Sequence, residues 1–111
     1  MSRETRLYLD DMLEACRRVI SYTTGMSFEH FVADQRTRDA VARNLEILGE
    51  AAKKVPEDVR KQLPAISWRE VCAFRDVLAH NYFGIDERIV WDVVTLRAPS
   101  IMRELQPFLA T

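Results

Sequence analysis

Apolar residues recur along the first half of the chain at the spacing of amphipathic helices. Two sets of four share offsets of 0, 4, 7 and 11 residues: Leu9, Leu13, Cys16 and Ile20, and then Val41, Leu45, Leu48 and Ala52. This period places the members of each set on one face of a helix. The pattern predicts a first helix from about residue 3 to Thr24 and a second over residues 35–55.

Turn and capping residues stand at the ends of these two stretches. Gly25 suits the C-terminal cap of the first helix. Ser27 is placed to cap a short turn over residues 28–32, and Asp34 to cap the second long helix. Pro56 ends that helix.

The second half of the chain repeats the pattern with shorter helices. The connector "PEDVRKQLPAI" holds one short helical turn, and a helix then begins at Trp68 and is stopped by Gly84. Asp86 caps a further helix, and Pro99 kinks or breaks that helix before a last segment over residues 100–109. Every predicted element is helical and the connections are short, which indicates an all-α bundle of four or five helices.

Composition narrows the class of protein. With 111 residues and 48% apolar residues, we expect a single domain over residues 1–111 with a packed interior. Sixteen basic and seventeen acidic side chains give a net charge of −1, so any contact with RNA must be local. The two cysteines, Cys16 and Cys72, fit reduced residues packed as small hydrophobes. Without a signal peptide or a membrane-spanning apolar run, the chain is expected in the cytoplasm.

The stretch "FRDVLAHNYFGID" concentrates Arg75, His80 and Tyr82 within eight residues. These are either a reactive group or amphipathic residues that finish a helix. On an ideal helix Arg75 and Tyr82 lie about 20° apart, whereas His80 lies about 140° from Arg75. The guanidinium and the imidazole can therefore converge only if the helix unwinds before Gly84 or if a second subunit completes the site, which we favour.

The chemistry available to these residues is cleavage of RNA. Asp76 and His80 are four residues apart and can touch, which would fix the tautomer of the imidazole. Arg75 offers a permanently charged fork suited to a phosphate. An imidazole that moves a proton beside such a cation is sufficient for metal-free cleavage at a 2′-hydroxyl. The two histidines and two cysteines have no metal-ligand spacing, so no metal or other cofactor is expected.

Five charged residues line the face opposite the apolar stripe of the second helix: Arg43, Glu46, Glu50, Lys53 and Lys54. The favoured interpretation is a solvated face with pairing inside the helix. The alternative is that Arg43 or Glu50 reaches the motif helix. Trp68 and Trp91 are predicted to anchor the core or an interface, because no basic cluster accompanies either ring.

Two longer stretches carry a family resemblance. "AVARNLEILGEAAKKVPEDVR" followed by "PAISWREVCAFRDVLAHNYFGIDERIVWDVV" closely resembles the HepT-like family, the minimal HEPN-domain proteins of bacterial and archaeal toxin–antitoxin pairs. The resemblance runs over about residues 39–109. Its most specific parts are Arg43-Asn44-Leu45-Glu46 with Gly49-Glu50-Ala51, and Arg75-Asp76…His80-Asn81-Tyr82.

The resemblance implies a fold, an activity and partners. The fold is an antiparallel HEPN helical bundle that forms a two-fold homodimer, with the motifs of both subunits at one cleft. The activity is metal-independent endoribonuclease action by a toxin of a type VII-like pair. Arg75 and His80 would be catalytic and Asp76 supporting. The antitoxin, a nucleotidyltransferase, would add AMP to Tyr82 and so inhibit the toxin.

One departure leaves a second function open. Asp76 stands where many relatives carry asparagine, and its carboxylate would partly neutralise Arg75. The alternative function is therefore a catalytically inactive helical binding subunit of a nucleotidyltransferase complex.

Overall fold

The computed structural model describes residues 1–81 and 86–110, and for His80 and Asn81 it describes the backbone only. The seven α-helices in this part of the chain are α1 (Arg3–Thr23), α2 (Phe28–Ala33), α3 (Gln35–Lys53), α4 (Glu57–Arg60), α5 (Trp68–Asn81), α6 (Glu87–Asp92) and α7 (Ala98–Leu109). A π-helical turn, Val93–Arg97, joins α6 to α7. The described residues contain no β-strand, and the predicted all-α fold is confirmed.

The helix ends follow the predicted capping residues. The side chains of Ser27, Asp34 and Asp86 each accept a hydrogen bond from a backbone amide in the first turn of the helix they precede. Gly25 has a φ of +80°, the left-handed conformation that ends α1 and favours glycine. The predicted stop at Gly84 lies outside the described residues.

Helix α1 lies between α3 and α7, and α3 also packs against α5. The ammonium of Lys54, just after α3, lies 5.4 Å from the ring of Tyr8 near the start of α1. Arg6 of α1 donates a hydrogen bond to the carbonyl of Leu109, the last residue of α7. Both contacts join the start of one helix to the end of another, so α1 runs antiparallel to α3 and to α7.

The core contains the residues that the helical periodicity predicted. Seven of the eight are buried: Leu9, Leu13, Cys16, Val41, Leu45, Leu48 and Ala52. Ile20 is half-buried against the same core. Both cysteines are free, and burial raises the pKa of the Cys16 thiol to about 12, as expected for a cysteine that serves as a small hydrophobe.

Arg60 ties the connector to the end of α3. Its guanidinium donates to the carbonyls of Ala52 and Val55 at 2.9 Å and lies 5.4 Å from the ring of Trp68. The indole nitrogen of Trp68 donates to the carbonyl of Leu63 at 3.0 Å. These contacts fix the start of α5, and they confirm Trp68 as a core anchor.

The predicted interruption at Pro99 takes a different form from a kink or a break. The chain remains helical from residue 87 to residue 109, and Pro99 lies in the first turn of α7 directly after the π-helical turn. Proline cannot donate a backbone hydrogen bond, and its ring crowds the carbonyl four residues earlier. A wider π turn at this point is one way in which a helix tolerates that crowding. Within the described residues, no helix is both long and apolar enough to cross a membrane.

Candidate functional site: the contact between α3 and α5

The motif arginine lies where α5 comes closest to α3. A Cβ atom added to Gly49 would stand 2.1 Å from the Cβ of Arg75 and 3.2 Å from the carbonyl oxygen of Val71. Carbon atoms in contact are normally about 3.5–4.0 Å apart. Only glycine at position 49 therefore permits this approach, and the backbone carrying Arg75 rests directly on α3.

Arg75 has a partner inside its own chain. Its Nη2 lies 3.0 Å from Oε1 of Glu50, and the side chain is only 25% exposed. The Nε atom of Arg75 is buried and has no hydrogen-bond partner among the described residues. Both amino groups of the guanidinium have a carboxylate partner, since Nη1 also lies 3.4 Å from Oδ1 of Asp76, and each amino group carries a second N–H.

Asp76 pairs with a second cation, Lys53, beside Arg75. Its Oδ1 accepts a hydrogen bond from Nζ of Lys53 and lies 3.4 Å from Nη1 of Arg75. The bond from Lys53 holds the pKa of Asp76 below its usual value, and the bond from Arg75 does the same for the pKa of Glu50. The hydrogen bond to Glu50 in turn raises the pKa of Arg75. Because both carboxyl pKa values are lowered, the pairs are complete at neutral pH and are lost only as the pH falls through these lowered values.

These contacts correct the prediction of a solvated charged face on α3. Arg43 and Glu46 do pair within the helix, at 3.6 Å. Glu50 and Lys53 remain 44% and 39% exposed, but they reach across to α5. The predicted pairing inside the helix is therefore wrong for these two residues, and the alternative is confirmed for Glu50. The physical reason is the absence of a Cβ atom at Gly49, which brings α5 within reach of the adjacent Glu50 and of Lys53 one turn later.

Helix α5 stays helical through Asn81, so it does not unwind between Arg75 and His80. Positions 75 and 80 are therefore about 140° apart around the helix axis. The side chain of His80 and all of Tyr82 lie outside the described residues, so the predicted contact between Asp76 and His80 stays a prediction. The structure brings Arg75 and Asp76 together, and it adds Glu50 and Lys53 to them.

The sequence pattern placed Lys53 on a solvated face and Gly49 only in the family motif, so sequence reasoning missed the part that both play in the contact with α5. The available signal was a glycine inside an amphipathic helix, which indicates close approach of another backbone. Glu50 follows Gly49 directly, and Lys53 lies four residues after it, so both are near Gly49 on the surface of that helix. Pairing across helices follows from these facts only once α5 is known to be the neighbour.

An apolar cavity of about 190 Å³ lies beside the site, between α3, α5 and the π-helical turn. Phe74 of α5 and Val93 of the π turn both line it. An ion pair between Glu70 and Arg97, at 3.4 Å, joins the same two segments. The motif helix therefore shares this cavity with α3 and with the segment from α6 to α7.

Comparison with known proteins gives several relatives along nearly the whole chain. The chain is 43% identical over 101 residues to a protein of Thermococcus cleftensis named "Probable ribonuclease HepT", covering 91% of this chain and 92% of that protein. It is 38% identical over 104 residues to a Methanocaldococcus jannaschii protein named "Putative RNase MJ0127", covering 94% and 86% of the two chains. No solved structure matches the chain significantly.

A protein-family model described as "Ribonuclease HepT-like" matches residues 12–108, which include Gly49, Glu50, Lys53 and the whole motif from Arg75 to Tyr82. Because that match covers nearly the whole chain and agrees with the helical fold, this protein is a member of the HepT-like ribonuclease family.

Proposed function

We propose that this protein is a metal-independent endoribonuclease that acts as the toxin of a type VII-like toxin–antitoxin pair. The observation that supports this most directly is the environment of Arg75. Its half-buried guanidinium is bound by Glu50, at the place where α5 contacts Gly49 of α3. The family match over residues 12–108 includes all three residues. A fixed cation with free hydrogen-bonding capacity suits a transition state in which charge accumulates on phosphate oxygens.

The reaction is a transfer of the phosphodiester to the neighbouring 2′-oxygen. The 2′-oxygen forms a bond to phosphorus, and the bond from phosphorus to the 5′-oxygen breaks. His80 either takes the proton from the 2′-hydroxyl while water protonates the leaving 5′-oxygen, or protonates the 5′-oxygen while water takes the proton from the 2′-hydroxyl. Arg75 stabilises the charge of the crowded intermediate state, and Asp76 supports these groups. The products are a 2′,3′-cyclic phosphate and a 5′-hydroxyl.

The active form in this proposal is a two-fold homodimer. Positions 75 and 80 point about 140° apart on one continuous helix, so Arg75 of one protomer works with His80 of the partner subunit. Large apolar side chains remain exposed on α5 and on the neighbouring segment from α6 to α7: Val77, Ile89 and Leu96 at 47%, 52% and 65%. Exposed apolar groups on the helices that border the motif fit a surface that a second copy covers.

The 2′-hydroxyl mechanism is tested with matched RNA and DNA. The unmodified wild-type protein is expected to cut a single-stranded RNA oligonucleotide in the presence of EDTA and to leave DNA of the same sequence intact, since DNA lacks the nucleophile. End analysis should find cyclic phosphate and 5′-hydroxyl termini. Loss of cleavage in EDTA, or equal cleavage of DNA, would contradict the mechanism.

A nucleotidyltransferase antitoxin that adds AMP to Tyr82 completes the proposal. The added phosphodiester brings negative charge and bulk beside a site that must admit an RNA phosphate, so it opposes substrate binding. After co-expression with a cognate nucleotidyltransferase, the protein is expected to gain the mass of one or more AMP residues. The gain should be absent in Tyr82→Phe, and an equal gain in that variant would place the modification elsewhere.

One observation favours a second function. Glu50 and Asp76 together neutralise Arg75 and Lys53, and the whole chain has a net charge of −1. A catalytically inactive binding subunit of a nucleotidyltransferase complex would need no free cation. Unmodified protein that leaves RNA intact and does not slow growth when expressed by itself would favour this function.

A further inference from the structure

Two cations from different helices meet at one carboxylate oxygen in the site. Lys53 of α3 donates to Oδ1 of Asp76, and Nη1 of Arg75 of α5 lies 3.4 Å from the same atom. An oxygen between a guanidinium and an ammonium is also the arrangement in which proteins bind a phosphate oxygen. The position of Oδ1 is therefore a place where a phosphate oxygen would find two charge partners.

The two cations differ in exposure and in the contacts that hold them. The side chain of Arg75 is 25% exposed and is bound by Glu50. The side chains of Lys53 and its partner Asp76 are more exposed, at 39% and 49%. Lysine carries its charge on a flexible stem with rotatable donors. Lys53 can exchange Asp76 for another acceptor without movement of either helix.

The local charge depends on Lys53. Arg75 with its two carboxylates, Glu50 and Asp76, has a net charge of −1, which opposes the approach of a phosphate. The ammonium of Lys53 adds +1 and brings the total of these four paired residues to zero. Lys53 thus removes an electrostatic barrier in addition to offering a donor.

We infer that Lys53 is a substrate-binding residue of this site, held beside Arg75 by Asp76 in the free protein and transferred to a phosphate of the RNA when substrate binds. The inference rests on the proposed ribonuclease function and extends it to a residue of α3. The simpler role of Lys53 is a surface ion pair that joins α3 to α5. Exposed ion pairs contribute little to stability, and that role would leave the affinity for RNA unchanged.

The test compares two charge-removing variants at adjacent positions. Lys53→Gln is expected to weaken binding of a single-stranded RNA oligonucleotide by about 3- to 10-fold, because one phosphate contact is lost. Lys54→Gln removes the same charge from the adjacent position, where the ammonium lies over the ring of Tyr8. This variant is expected to bind RNA with the affinity of the parent protein. Binding is measured by fluorescence anisotropy in a His80→Ala background, so that cleavage does not interfere.

The salt dependence of RNA binding gives a second measurement, which would stay unchanged if Lys53 only joined α3 to α5. The slope of log affinity against log salt should fall by roughly 0.7 in Lys53→Gln, the value for one contact to a single strand. In cleavage assays KM should rise while kcat stays within about 2-fold, and Lys53→Arg, which keeps the charge, should restore KM.

Two failures remain distinguishable. If Lys53→Gln and Lys54→Gln bind RNA with the same affinity and the same slope, while the wild-type protein cleaves RNA, the inference about Lys53 is overturned and the ribonuclease function stands. If the wild-type protein neither binds nor cleaves RNA, the proposed function itself fails.

Discussion

Replacing Arg75 by alanine is expected to slow RNA cleavage by about 100- to 1000-fold, the usual cost of removing one donor that stabilises transition-state charge. The folded state should survive, because the lost partner, Glu50, is 44% exposed and can be solvated once the guanidinium is gone. Single-turnover cleavage of an RNA oligonucleotide gives the rate, and thermal unfolding checks the fold. Arg75→Lys should recover only part of the rate, since an ammonium lacks the planar fork.

The same variant tests whether the site is shared between subunits. Arg75→Ala and His80→Ala should each be inactive as homodimers. When equal amounts are unfolded together and refolded, half of the dimers are mixed and one of the two sites in each mixed dimer regains both groups, so about one quarter of the wild-type activity should return. Recovery requires that Arg75 and His80 of different protomers form one site.

The control for this experiment is the separate refolding of each variant, which should yield dimers by sedimentation but no cleavage. No recovery in the mixture, with dimers present, would contradict a site composed of one residue from each subunit. A monomeric wild-type protein that cleaves RNA would contradict the dimeric site directly.

Gly49→Ala is expected to lower the melting temperature by roughly 4–15 °C and to reduce cleavage as well. Alanine favours a helix over glycine by about 1 kcal/mol. The added Cβ, however, would stand 2.1 Å from that of Arg75, so α3 and α5 must separate by more than an ångström. Overpacking costs about 1–3 kcal/mol, and an approach of 2.1 Å belongs in the upper part of that range. After the helix gain, a net loss of about 1–2 kcal/mol remains, and 1 kcal/mol corresponds to roughly 4–8 °C for a chain of this size.

Gly25→Ala serves as the matched control for Gly49→Ala. Gly25 has a φ of +80°, and no atom lies within 4 Å of an added Cβ, so the substitution strains the backbone without touching the site. At a temperature where both variants are folded, Gly25→Ala should cleave RNA like the wild type, and Gly49→Ala should not. Full activity in folded Gly49→Ala would show that RNA cleavage does not require the close approach of Arg75 to α3.

Much of the fold was predictable because local rules decide it. The offsets of apolar residues located α1 and α3, and Ser27, Asp34 and Asp86 located helix starts, since a cap bonds to amides only two or three residues away. At Pro99 the local rule was incomplete. It predicted an interruption, but a π-helical turn directly before α7 keeps the chain helical.

By itself, the sequence determined the helical class, most of the core residues and the family to which the motif from Arg75 to Tyr82 belongs. Only the tertiary structure decided that Glu50 pairs with Arg75 and that Lys53 pairs with Asp76, because these partners stand 25 and 23 residues apart along the chain. Periodicity describes one helix at a time, whereas a pairing between helices depends on which faces meet and how closely. Here the distance between the helices depends on Gly49. The absence of a Cβ atom at this position allows close packing only where another helix crosses α3.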